Sequence, residues 1–255
     1  AQQALQPVLE AISNAVMAID EKYENPAEGR VEVVIDRLGS DDVTVSIRDD
    51  GVGLDEAHFE AFLEIDTEFK RQLGGKGVGR LYWLDAFASI EVESQYKSET
   101  GEFSRRAFKF VLDSEEQVQF VAPIEVWHEG QTGTIVKLRG LRNTYYQATF
   151  PKQSAMVVNH TISEFIASFL SKKSPIIELN ITLESGVQSS NTFPEDVASL
   201  VHYGPQAIGP VEIEGRGTFN VQIFLCDRRA SRGMQLKHAL HLLGDGRAVT
   251  NRKID

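Results

Sequence analysis

Val43-Thr44-Val45-Ser46-Ile47-Arg48-Asp49-Asp50-Gly51-Val52-Gly53 is the stretch on which the fold turns. Its first five residues alternate apolar and polar side chains, the period of a strand with one buried face. The strand ends on Asp49, and Gly51 and Gly53 follow directly, so a carboxylate is handed into a turn whose backbone can approach other atoms closely. Just upstream, Val31-Glu32-Val33-Val34-Ile35 alternates too. Gly39-Ser40-Asp41-Asp42 lies between the two runs and predicts a β-hairpin.

Before the hairpin, Leu5, Val8, Leu9, Ile12, Val16 and Ile19 recur at helical spacing and predict a helix over 3–22. At about 100° per residue, Glu10 and Asn14 fall opposite that apolar stripe, one turn apart. A carboxylate one turn from an amide oxygen suits a general base beside a ligand for a divalent cation. Alone, such a pair is usually just solvated helix surface. After the hairpin, residues 55–73 predict a helix and then a mobile loop. Gly74-Gly75-Lys76-Gly77-Val78-Gly79 next leads into a helix beginning Arg80-Leu81-Tyr82-Trp83. Glycines ahead of a helix can aim backbone N–H groups at a phosphate. The run is not a Walker A loop, because Gly77 follows Lys76, and it is not the G-x-G-x-x-G of a dinucleotide fold. Taken singly, Asp49-x-Gly51-x-Gly53 also fits a common Asp-Gly turn, and the glycine run a flexible linker.

Strands are predicted at Ser89–Glu93, Ser104–Leu112, Val118–Val126 and Gly133–Leu138, a helix at Thr161–Leu170 and a strand at Ile176–Leu183. The Ser-, Gly- and Asn-rich stretch Ser185–Phe193 reads as a linker, and Thr218–Cys226 as a strand of a second α/β unit. The expected organisation is a first domain over 1–184, a linker over 185–193 and a partial second domain over 194–255. Helices layered on a mostly antiparallel sheet make the class α+β. With 255 residues and 42% hydrophobic content the chain can bury a sizeable core. A net charge of −11 argues against a broadly basic nucleic-acid-binding surface. The single cysteine excludes a disulfide within the chain. No stretch approaches a membrane span and the first residues lack a signal-peptide pattern, so the expected location is cytoplasmic, without membrane attachment.

The order of these parts is more specific than any one of them. A helix with Glu10 and Asn14, a strand ending in D-x-G-x-G, a lid and then G-x-x-G-x-G resembles the GHKL superfamily over roughly residues 5–140. That family includes DNA gyrase B, the heat-shock 90 chaperones, histidine kinases and the mismatch-repair MutL proteins. Gly133-Thr134, opening a late strand, matches the place where the family has a threonine near adenine. The resemblance implies a Bergerat-type two-layer α/β sandwich that binds ATP and Mg²⁺. It implies Glu10 as general base, Asn14 as Mg²⁺ ligand, Asp49 as reader of the adenine amine, and Gly51 and Gly53 as the shape of that pocket. Gly74, Gly77, Val78 and Gly79 would line the phosphates, Lys70 in the lid would touch them, and Thr134 would support Asp49.

Histidine kinases usually lack a water-activating glutamate at the position of Glu10, so the resemblance favours slow ATP hydrolysis as a conformational switch. A histidine-kinase-type or non-hydrolysing regulatory module is the alternative. Residues 194–255 would then be a transducer-like segment, and ATP-dependent homodimerisation is an expected partner mode. Whether a client is DNA or protein is open at this level. Met17 departs from the acidic residue that gyrase and the heat-shock 90 chaperones carry three positions after the asparagine.

Overall fold

The computed structural model describes residues 2–63, 79–111, 118–121, 125–127, 130–171, 174–214, 217–227, 239–244 and 247–253. The opening helix, α1 (Gln2–Lys22), is followed by the predicted hairpin of β1 (Arg30–Leu38) and β2 (Thr44–Asp49). After α2 (Glu56–Leu63) and α3 (Gly79–Ala86) come β3 (Phe87–Lys97), β4 (Phe103–Phe110), β5 (Val118–Phe120), β6 (Glu125–Trp127) and β7 (Gly133–Leu141). The short α4 (Thr144–Thr149) and the long α5 (Ser154–Ser171) lead to β8 (Ile176–Leu183), β9 (Gln188–Phe193) and a single turn, α6 (Glu195–Ala198).

These strands form one nine-stranded sheet in the order β5-β4-β3-β7-β2-β1-β8-β9, with β6 also on β4. Among the described strands only the β1–β8 pairing is parallel. One face of the sheet is covered and the other is wet. In β1, Val31, Val33 and Ile35 are fully buried while Arg30, Glu32 and Asp36 keep solvent contact, the alternation of a one-sided sheet. The covering layer is α1 flanked by α3 and α5, whose Val157, Val158, Ile162, Phe165, Ile166 and Phe169 join the α1 residues Leu5, Val8, Leu9, Ile12 and Ile19 in one core. The architecture is therefore a mixed α+β two-layer sandwich with a large, mostly antiparallel sheet.

Burial on α1 extends beyond the apolar stripe. Ala4, Ala11, Ser13 and Ala15 are buried as well, because neighbouring helices close on its flanks and small residues let them approach. Pro7, inside the helix, lacks an N–H, but its carbonyl accepts the indole N–H of Trp83 on α3 at 2.9 Å.

Two expectations are corrected. The stretch Val118–Val126 is not one strand: β5 pairs with Phe108–Phe110 and β6 with Phe103–Arg105, so two short pieces share the edge of β4. The stretch Ser185–Phe193 is not a free linker, because Gln188–Phe193 adds the strand β9 to β8. Its polar side chains suit an edge strand, where the ladder supplies the hydrogen bonds and only Asn191 and Phe193 must be buried.

Beyond α6, β10 (Val201–Ile213) pairs with β11 (Gly217–Cys226), and β12 (Ala239–Gly244) with β13 (Arg247–Lys253), as two separate hairpins. No helix among the described residues is long and apolar enough to cross a membrane.

Candidate functional site

The covered face of the sheet is a grid of cross-strand rows. Ile47 on β2 lies opposite Val136 on β7, which lies opposite Val92 on β3, which lies opposite Phe108 on β4. Two residues further along each strand the same face carries Asp49, Thr134, Ser94 and Arg106. Ser94 pairs with Thr134 on one side and Arg106 on the other, and Asp49 is tied to Thr134 by a hydrogen bond. Strand alternation thus places four polar groups in the core-facing series, at one end of the sheet.

Asp49 is the centre of this arrangement. Its Oδ1 accepts the N–H of Gly51 at 2.9 Å and the N–H of Thr134 at 3.2 Å. Among the described residues nothing donates to Oδ2. Burial pushes the Asp49 carboxyl up from its ordinary value of 3.8 to about 7, helped by the nearby Asp50 charge. The Gly51 and Thr134 N–H groups and Lys22 hold it from rising further. Asp50 has a different task. Its carboxylate accepts the N–H of Arg30 at 2.8 Å and the Tyr23 hydroxyl at 3.3 Å, and its carbonyl accepts the Lys22 ammonium. It locks the start of β1 to the end of α1.

The two glycines after Asp49 are dictated by contact. A Cβ on Gly51 would sit 2.6 Å from the Ala18 backbone, and one on Gly53, where φ is +79°, would sit 2.1 Å from the Gln95 carbonyl oxygen. The loop is thereby pressed between α1 and β3. The Val52 N–H donates to the Ala18 carbonyl at 3.1 Å, and the Thr132 hydroxyl donates to the Gly51 carbonyl at 2.6 Å.

Ala18 also fixes where Glu10 and Asn14 stand. Positions 10, 14 and 18 follow one another at one-turn intervals, so they share a stripe of α1 rising about 6 Å per step. Asn14 is exposed, one turn from the Asp49 loop, and Glu10 is a second turn away. Glu10 is half-buried and not fully solvated, and its Oε1 accepts a hydrogen bond from Gln6 Nε2 at 3.0 Å. Met17, at the point of departure from the family pattern, is half-buried packing. The structure therefore brings together Asp49, Gly51, Gly53 and Thr134, with Asn14 and Glu10 aligned along the adjoining helix. Gly79 opens α3. Lys70, Gly74, Gly77 and Val78 lie outside the described residues.

Several residues of the site have no counterpart in the motifs. Ser94 is fully buried. It accepts the Leu54 N–H at 2.7 Å and lies 3.1 Å from Thr134 Oγ1 and 3.3 Å from the Gly133 carbonyl. Arg106, 1% exposed, is sandwiched between Phe59 of α2 and Tyr96 of β3, with ring centres 4.3 and 4.4 Å from the guanidinium, and it donates to Glu56. His58 on α2 bridges Asp55 at 2.7 Å and Glu21 of α1 at 2.9 Å. Burial alone would lower the His58 imidazole, but its bonds to the two carboxylates outweigh that and raise it. One signal could have found Ser94: it interrupts the apolar series Ile90, Val92, Tyr96 on the buried side of β3.

A carboxylate at a strand end, a tight two-glycine loop and a threonine on the neighbouring strand are thus assembled beside a helix carrying a second carboxylate and an amide. Residues 1–116 match the family described as Histidine kinase-, DNA gyrase B-, and HSP90-like ATPase. The matched stretch runs from α1 to β4 and so includes Glu10, Asn14, Asp49, Ser94 and Arg106, while Thr134 lies past its end. The chain is also similar to a solved N-terminal domain of a DNA repair protein, at 12% identity and a TM-score of 0.46, over 74% of this chain and 53% of that one. It thus spans about half the length of that neighbour. No curated protein matches.

Proposed function

We propose that this protein binds ATP with Mg²⁺ and hydrolyses it slowly, using nucleotide occupancy as a conformational switch. The observation that carries the reading is Asp49: one oxygen is fixed by two N–H groups, and among the described residues the other receives none. An exocyclic amine such as adenine N6 supplies the missing donor, whereas guanine would turn a carbonyl oxygen toward the same carboxylate. Gly51 and Gly53 keep that mouth clear of side chains, and Thr134 adds a hydroxyl beside it.

Asn14 offers a neutral oxygen ligand on the exposed stripe of α1, suited to a hard cation, and Mg²⁺ would supply charge neutralisation to the phosphates. Gly74, Gly77, Val78 and Gly79, with Lys70, are the proposed phosphate-facing set. Glu10 holds the attacking water and takes its proton, and the Gln6 amide keeps the carboxylate oriented for that step. Residues 194–255 serve as the transducer-like segment after the ATP-binding domain, and a second copy of the chain is the proposed partner in the ATP-bound state.

The test is Glu10→Ala with γ-labelled ATP. The variant should keep nucleotide affinity and lose release of free phosphate by at least about a hundredfold. Unchanged turnover in a clean preparation removes Glu10 from the role of base. Label retained on the wild-type protein would instead favour a kinase-type module.

A further inference from the structure

We infer that Ser94 is a positioning residue that sets the hydrogen-bond polarity of Thr134, so that Thr134 gives its hydroxyl proton to a ring nitrogen of the bound base. The inference rests on the ATP reading above and adds to it a residue outside the recognised motifs.

The argument is a count of protons. A serine hydroxyl has one proton to give and two lone pairs to receive with. Ser94 Oγ already receives the Leu54 N–H at 2.7 Å, a donor that cannot reverse because it is backbone. Its own proton then has two acceptors within reach, Thr134 Oγ1 at 3.1 Å and the Gly133 carbonyl at 3.3 Å. The nearer is Thr134, on the same face of the sheet and directly opposite in register. With a proton arriving from Ser94, the Thr134 hydroxyl has its own proton to direct outward. In this arrangement the chain runs from Leu54 N–H to Ser94, from Ser94 to Thr134, and from Thr134 to a ligand acceptor. If Ser94 served Gly133 instead, Thr134 would spend its proton on Ser94 and present only lone pairs.

Adenine needs both signs at this edge. Its N6 amine donates, and its adjacent N1 accepts. Asp49 and Thr134 lie side by side, joined by the Thr134 N–H, so an acceptor and a donor are presented next to each other. Leu54 follows Gly53 directly, so the origin of the chain moves with the loop that shapes the pocket and leads into α2. Ser94 is fully buried on a strand whose other inward residues are apolar or aromatic. A hydroxyl there costs desolvation that an alanine would avoid, and its retention fits a task for the proton.

The test pairs a protein change with a ligand change. Affinities of the full chain for ATP and for its 1-deaza analogue, in which N1 is replaced by C–H, are measured by calorimetry for wild type, Ser94→Ala and Ser94→Cys. Wild type should prefer ATP by about five- to tenfold, the range of one hydrogen bond. Ser94→Ala should lose that preference by weakening ATP binding while leaving the analogue nearly unchanged. Ser94→Cys, a weak donor of similar size, should fall between, and it carries the test if Ser94→Ala does not fold. Equal weakening toward both ligands, or a wild type that does not distinguish them, overturns the role of Ser94 and leaves the ATP reading standing. Absence of any ATP binding by wild type overturns both.

Discussion

Two neighbouring rows of the same sheet make the sharpest contrast in the molecule. Ile47, Val136, Val92 and Phe108 fill one row, and about 7 Å further along the strands Asp49, Thr134, Ser94 and Arg106 fill the next. Both rows face the helical layer. The first is closed by apolar side chains and does nothing but exclude water. The second spends core-facing positions on a carboxylate, two hydroxyls and a guanidinium, each held by named partners. On the far side of Asp49 the second row returns to apolar character with Val31, Ile177 and Phe193. Under the proposed function the polar half is a local exchange of stability for binding chemistry, and the two rows should fail in opposite ways when changed.

The largest effect belongs to the apolar row. Phe108 is fully buried and meets Phe59, Phe62 and Phe120 edge-on, so Phe108→Ala should destabilise the fold by about 3–5 kcal/mol. Chemical denaturation would read this as an earlier midpoint with little change in slope.

Asp49→Asn should do the reverse. The native carboxyl ionises near 7 against an ordinary 3.8, so the folded state binds the proton more tightly than the unfolded one. Stability tied to this group is complete below pH 4, falls as pH rises and levels off above about 7. The amide removes that loss, so at pH 8 the variant should be more stable by up to about 4 kcal/mol, with the gain vanishing near pH 4. Its ATP affinity should drop about ten- to a hundredfold, because an acceptor has become in part a donor. For the wild type, ATP affinity should weaken as pH is lowered through 7. Melting curves and calorimetry across pH read both trends, and an unaltered ATP affinity would break the comparison.

Smaller still is Thr134→Val. It keeps the backbone N–H to Asp49 and should change stability by less than about 1 kcal/mol while weakening ATP binding about fivefold. The smallest effect concerns the strap between α1 and α2. The raised His58 imidazole means that its contribution is fully present below pH 6.5 and is lost as pH rises through the folded value. His58→Phe should therefore flatten the slope of stability above pH 6.5 and leave it unchanged well above that range.

Much of the site was readable because it is local in sequence. Asp49 followed by two glycines is a strand end and a turn, and Glu10 with Asn14 is a matter of helical period. Thr134 was placed by resemblance, since its nearness to Asp49 depends on the pairing of β2 with β7, which no local pattern encodes. Ser94 and Arg106 are the same case carried further. They interrupt the inward series of β3 and β4, yet only the register shows that the interruptions line up. The partial burial of Glu10 was not legible, as the apolar stripe of α1 does not reveal that other helices cover its flanks. β9 was missed because an edge strand can be polar when a neighbour supplies its ladder.

The parallel pairing of β1 with β8 also bears on how the chain reaches this state. Arg30 meets Ile176, so β1, next to the Asp49 strand, receives its second neighbour only after nearly the whole sheet has been synthesised. Until then Val31, Val33 and Ile35 form an unprotected edge, long and apolar, at which two nascent chains can pair. A fragment ending after β7 would hold the entire polar row and still be aggregation-prone. The late strands thus act as an inbuilt chaperone for the early ones, and the site is completed in an order set by topology.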